Sequence, residues 1–212
     1  MHMGIHLLPG LIPYGVSPNA RTLVEFMRSA LKSAGCRILF CSSVDEGPFV
    51  ITFETATDER LGIVAYAFRS ARSRTGDHYI GERAFHLAYG SQSGDVLQHL
   101  WTDPLSLFTT LYLAVDPIED IFVSADPASD SAEEPRRRLN FKDEHLDAIR
   151  ATSWHAWERT GRRAEERVEV LVGCTKDRFL DLIRFERAAV GLSAGHRHLL
   201  ADKTRALRRS WT

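Results

Sequence analysis

Leu61-Gly-Ile-Val-Ala-Tyr-Ala-Phe68 decides the fold. All eight residues are apolar, and β-branched and aromatic side chains recur along the run. A stretch this short and this apolar reads as a strand buried near the middle of a sheet. A basic loop follows at once, Arg69-Ser-Ala-Arg72-Ser-Arg74-Thr-Gly76, with three guanidinium groups, no acid, and small residues between them. Beyond it, Gly81-Glu-Arg-Ala-Phe-His-Leu-Ala-Tyr-Gly90 has the alternation of a half-buried antiparallel strand, with Phe85, Leu87 and Tyr89 on one face.

Working outward toward the N-terminus, Thr57-Asp-Glu-Arg60 is a turn that delivers the chain into this central strand. Phe49–Thr55 and Cys36–Cys41 are two further short strands, separated by the turn Asp45-Glu-Gly-Pro48. Short polar turns between successive strands dictate an antiparallel meander, because parallel pairing needs longer crossovers. Before them, Leu23, Met27, Ala30, Leu31 and Ala34 recur at helical spacing. Ser17 stands as the expected N-cap, Pro18 falls in the first turn, and Gly35 is the expected stop.

Toward the C-terminus, Leu111–Val115 and Ile121–Ala125 flank the turn Asp116-Pro-Ile-Glu-Asp120, and Arg137–Phe141 is expected as the last strand. Residues 142–151 suit a helix. Val168–Gly173 reads as a strand, a helix follows from Thr175 to Gly191, and residues 195–210 suit a basic helix. The expected architecture is α+β: a mainly antiparallel, curved sheet of about seven strands with an N-terminal helix and a helical C-terminal part. Residues 1–150 would hold the sheet and its helix, and residues 151–212 a mostly helical part packed on it, together forming one compact unit.

At 212 residues with a formal charge of −1, the chain is long enough for a well-buried core, and no apolar run has the length a bilayer requires. Its start lacks the pattern of a secretory signal, and three cysteines do not make a disulfide framework. A cytoplasmic protein is expected. Near-balanced charge argues against wholesale coating of nucleic acid, although arginines cluster at 69–74, 136–138, 159–167 and the C-terminus, which allows either a basic face or a mosaic surface.

Nine histidines prompt a search for metal ligands, but no Cys-x-x-Cys is present and the expected number of metal sites and cofactors is none. No glycine-bounded serine elbow, phosphate-cradling glycine loop or acid-x-lysine nuclease strand occurs. A binding surface survives this elimination. Arg69, Arg72 and Arg74 lie at the mouth of a hairpin, where guanidiniums fork onto phosphate oxygens or a guanine edge. Arg83, His86 and Tyr89 come from the neighbouring strand. Trp154 and Trp157 are candidates for a platform on which an extruded base stacks, or for plugs in a core or domain seam.

Several of these features in sequence order resemble one family: the apolar strand 61–68, the arginine-rich turn, Gly-Glu-Arg-Ala-Phe-x-Leu, Ile121-Phe-Val-Ser-Ala-Asp126, and Leu139-Asn-Phe141 before a helix. They resemble the amino-terminal recognition region of bacterial restriction-type endonucleases, including modification-sensing ones. The resemblance covers residues 36–150. It implies a module that binds double-stranded DNA, reads a modified base, and works with a nuclease domain or subunit outside this chain. Two other readings stay open. One is a small-molecule-binding protein or enzyme with a pocket between sheet and C-terminal helices, using His86 and His155 as acid and base. The other is an interaction domain docking through its helical C-terminus.

Overall fold

The computed structural model describes residues 8–16, 18–72, 82–86, 100–128, 138–159 and 168–207, with backbone alone for 71–72, 82–86 and 138–140. Among the described residues, twelve strands and four α-helices run in the order β1 (Tyr14–Gly15), α1 (Ala20–Ser33), β2 (Arg37–Cys41), β3 (Glu46–Gly47), β4 (Phe49–Glu54), β5 (Arg60–Arg69), β6 (Ala71–Arg72), β7 (Glu82–His86), β8 (Phe108–Asp116), β9 (Ile121–Ala125), β10 (Arg138–Lys142), α2 (Asp143–Thr152), β11 (Trp154–Arg159), β12 (Glu169–Thr175), α3 (Phe179–Ala189) and α4 (Ala194–Leu207). A seven-stranded sheet has the order β11-β12-β9-β8-β5-β4-β2. All its neighbours are antiparallel except the central pair, β5 and β8, which run parallel.

The unbroken apolarity of β5 follows from that position. Leu61, Ile63, Ala65 and Ala67 belong to one buried cluster with α1, α3 and α4, while Val64 and Tyr66 belong to a second, with Leu11, Tyr14, Tyr112, Leu146 and Ile149. A strand covered on both faces has no polar row to show. Val64 and Tyr66 pair in register with Thr110 and Tyr112 of β8.

The strand-rich α+β architecture and the meander β2-β4-β5 agree with the sequence. The sheet's membership does not. β7 and β10, expected in the main sheet, form a separate three-stranded sheet of order β10-β7-β6. Their places are taken by β11 and β12, so the C-terminal residues beyond 150 are not only helical: they complete the large sheet before supplying α3 and α4. Trp154-His-Ala-Trp157 is a strand, its register running Trp154 against Cys174 and Trp157 against Leu171.

Helix α1 begins at Ala20, with Asn19 at its N-cap; Ser17 lies outside the described residues. Its C-terminus closes as expected at Gly35, at φ +78°. The Gly35 amide donates to Lys32 O and the Cys36 amide to Leu31 O, each at 3.0 Å, the paired bonds of a Schellman ending. Among the described residues no helix is long and apolar enough to cross a membrane.

Candidate functional site

Arg69 and Arg72 sit where the chain leaves the large sheet. Arg69 ends β5, is exposed, and donates from Nη1 to Asn19 Oδ1 at 3.3 Å. Ser70 is the hinge between sheets. Its amide donates to Val115 O at 3.0 Å, and its hydroxyl donates to Asp116 Oδ2 at 2.5 Å in a buried setting. Asp116 is itself fixed, because its Oδ1 accepts from the amides of Ile118 and Glu119 at 3.1 Å each. The last two positions of β8 therefore hold the strand crossing point, and β6 starts one residue later.

Backbone register then sets the basic residues of the small sheet. Arg72 of β6 pairs with Arg83 of β7, and Arg83 pairs with Phe141 of β10, which gives one row across three strands. His86 pairs with Arg138, and Glu82 with Lys142. Arg83 and His86 stand an odd number of residues apart, so they fall in rows of opposite parity. Register thus brings Arg72, three residues beyond Arg69, together with Arg83, and sets His86 in a different row beside a fourth arginine, Arg138. Arg74 and Tyr89 lie outside the described residues.

Trp154 and Trp157 do not form one platform. They project to opposite faces of β11, as strand parity requires. Trp154 is 1 % exposed, donates from Nε1 to Ala201 O at 3.0 Å, meets the Phe185 ring edge-on at 5.7 Å, and has the Arg178 guanidinium 5.0 Å from its centroid. Its work is to pin α4 and α3 onto the sheet. Trp157 is 8 % exposed and lies under two imidazoles, His145 at 4.4 Å and 9° and His155 at 5.4 Å and 15° between rings.

His145 was not visible as a partner in the sequence, since nothing local pairs a residue of α2 with β11. Its Nδ1 lies 3.4 Å from His155 Nε2. Burial is the main force lowering both imidazole pKa values, His145 to about 4; the neighbouring imidazole adds to it at His145, and Arg205 and His198 add to it at His155. Burial likewise raises the thiols of Cys36, Cys41 and Cys174, which removes them as ready nucleophiles at neutral pH.

A groove of about 320 Å³ lies between α3 and α4, lined by Arg178, Asp181, Arg184, Phe185, Leu200 and Thr204 among others. It contains no histidine and sits between the helices rather than between helices and sheet. Among the described residues no group of three histidine, cysteine or acidic side chains is placed to hold a metal ion.

Compared with known proteins, residues 61–183 match the family described as methylase-associated X1. The match runs from the start of β5 through both sheets' shared connections to α3. No curated protein and no solved structure matches the chain with significance.

Proposed function

The chain belongs to the methylase-associated X1 family, and from that premise we propose that it is a DNA-recognition module of a restriction–modification or related defence system. The observation that carries this reading is the cross-strand pair Arg72–Arg83, three residues beyond Arg69. Like charges placed directly opposite in a ladder destabilise it. A row of phosphates relieves that repulsion and supplies the bidentate acceptors that guanidiniums suit. Arg69, Arg72 and Arg83 are proposed to hold the duplex backbone, joined by Arg74 and Tyr89 and, from the other row, by His86 with Arg138.

Phosphate contacts position a protein without reading sequence. The finer proposal is that the same surface senses whether a base is modified, which is the information a methylase leaves on DNA. Chemistry on the DNA is assigned to a partner domain or subunit, a nuclease or the methylase itself. Trp154 is engaged by α4, so of the two tryptophans it is Trp157, with its imidazoles, that is proposed for base stacking.

Fluorescence polarisation with methylated and unmodified duplexes across a salt series tests the reading. Binding is expected to weaken steeply with salt, and each of Arg69→Ala, Arg72→Ala and Arg83→Ala is expected to reduce the log–log salt slope by about 1. Absence of binding to either duplex at low salt would remove the proposal. A difference between the two duplexes that survives the arginine substitutions would place the sensor elsewhere.

A further inference from the structure

His145 and His155 are joined by facing ring nitrogens, and the pair lies on the indole of Trp157. The centroids of the two imidazoles are 5.6 Å apart with 24° between planes, while the nitrogens are only 3.4 Å apart. The rings therefore meet edge to edge, nitrogen toward nitrogen, rather than face over face. Such a contact accommodates one proton between the two nitrogens. With both facing nitrogens protonated, two donors and two positive charges meet and no acceptor remains between them.

The pair joins elements that matter for the small sheet. His145 is in the first turns of α2, which follows β10 without a loop, and β10 pairs along its whole length with β7. His155 is on β11, the edge strand of the large sheet. Phe141, the penultimate residue of β10, packs against Trp157 at 6.4 Å, so the same indole serves both contacts.

We propose that the His145–His155 pair is a one-proton joint that closes α2 onto β11 near neutrality and opens on acidification, releasing β10 and the edge of the small sheet it carries.

The charged groups around the pair do not favour a second proton. Lys142 at the end of β10 and Glu144 on α2 flank His145, with Lys142 Nζ 3.2 Å from Glu144 Oε1 and His145 Nε2 4.0 Å from the same oxygen. From α4, His198 and Arg205 face His155, and from β11 Glu158 lies 3.6 Å from His198 Nδ1. Glu144 is thus shared with Lys142, and Glu158 with His198. Consistent with this, His145 sits at about 4 against an ordinary 6.5, with burial the leading cause, and His155 is lowered for the same leading reason. A folded state with depressed histidine pKa values binds fewer protons than the unfolded chain. Stability from the joint is therefore full above about pH 6.5 and is lost as pH falls toward about 4.

The joint needs no nucleic acid, so it is tested on the chain alone. Ring-proton NMR of the full chain, with the two resonances assigned from His145→Gln and His155→Gln, is expected to show both rings titrating below the ordinary range in two linked steps. Two independent titrations near 6.5 would overturn the proposal, and this readout requires only the folded wild type. Hydrogen exchange at pH 4.5 then reports the opening, with α1 in the same sample as the reference. Amides of α2 and β10 are expected to lose protection relative to α1 by on the order of tenfold or more compared with pH 7, and His155→Gln to reduce that loss. If α2 keeps pace with α1, the joint does not open and the idea fails.

Discussion

The Ser70 hydroxyl and the Asp116 carboxylate are joined in a buried hydrogen bond of 2.5 Å, across the ends of the two parallel strands and at the point where the chain turns from one sheet into the other. A bond this short between a hydroxyl and a carboxylate is of the charge-assisted kind. Ser70→Ala removes one donor from a buried carboxylate and leaves its backbone donors in place. We expect a loss of about 1–3 kcal/mol in urea unfolding, and weaker duplex binding with no change in the charge of the surface. Unchanged binding in a folded Ser70→Ala variant would show that the direction of β6 does not matter.

Gly173 of β12 lies directly against Ile149 of α2. A Cβ built there would stand 2.2 Å from Ile149 Cδ1 and 3.3 Å from Trp157 Cζ3, and Ile149 is fully buried. Gly173→Ala is expected to cost about 1–3 kcal/mol by overpacking. Adding Ile149→Val frees the volume of the offending methyl, so thermal melting of the double variant should recover part of the loss.

Arg197 and Glu186 form a buried ion pair between α4 and α3, with Nη2 at 2.5 and 2.7 Å from the two carboxylate oxygens. Nε of the same guanidinium is 3.4 Å from Val170 O, and the Phe185 ring lies 4.9 Å beneath it. Glu186→Ala strands a positive charge in the core and is expected to cost about 3–5 kcal/mol. Glu186→Leu combined with Arg197→Met removes both charges, and its unfolding free energy should return close to that of the wild type. A double variant as unstable as the single one would mean that the pair contributes more than desolvation takes away.

Asp103 organises the entry to β8. Its Oδ1 accepts from the Leu105 amide at 2.9 Å, and its Oδ2 accepts from the amides of Leu107 and Phe108 at 2.7 Å each. Between them Ser106 is held at φ +55°, where a side chain is strained. Asp103→Ala and Ser106→Gly should therefore act in opposite directions: about 1–2 kcal/mol lost in the first, and about 1 kcal/mol gained in the second, both read from chemical denaturation.

Much of this architecture is legible locally. The two-sided burial of β5 shows in its unbroken apolar run, α1 shows in its stripe and closing Gly35, and β9 falls on the residues Ile121–Ala125 expected for it. β11 is not legible. Its two tryptophans, three apart, have a helical spacing, and only pairing with the distant β12 makes the segment a strand, whose two faces bury one ring each. The small sheet has the same origin. β7 and β10 read correctly as strands, but which ladder they join is settled by partners far along the chain. At the site, the arginine run was visible as a run. The Ser70–Asp116 bond, between residues 46 apart, and the meeting of His145 with His155 were not, because neither leaves a local pattern.

The parallel pairing of β5 and β8 has an implication for how such chains diversify. Parallel neighbours oblige the backbone to travel a long way before it returns, and here the detour is residues 70–107, which include β6 and β7. Lengthening a connection that is already long adds little closure entropy. Two chains alike in the large sheet and different only within that detour would thus share one scaffold and display different outer surfaces, an exchangeable cassette whose two attachment points are Arg69 and Phe108.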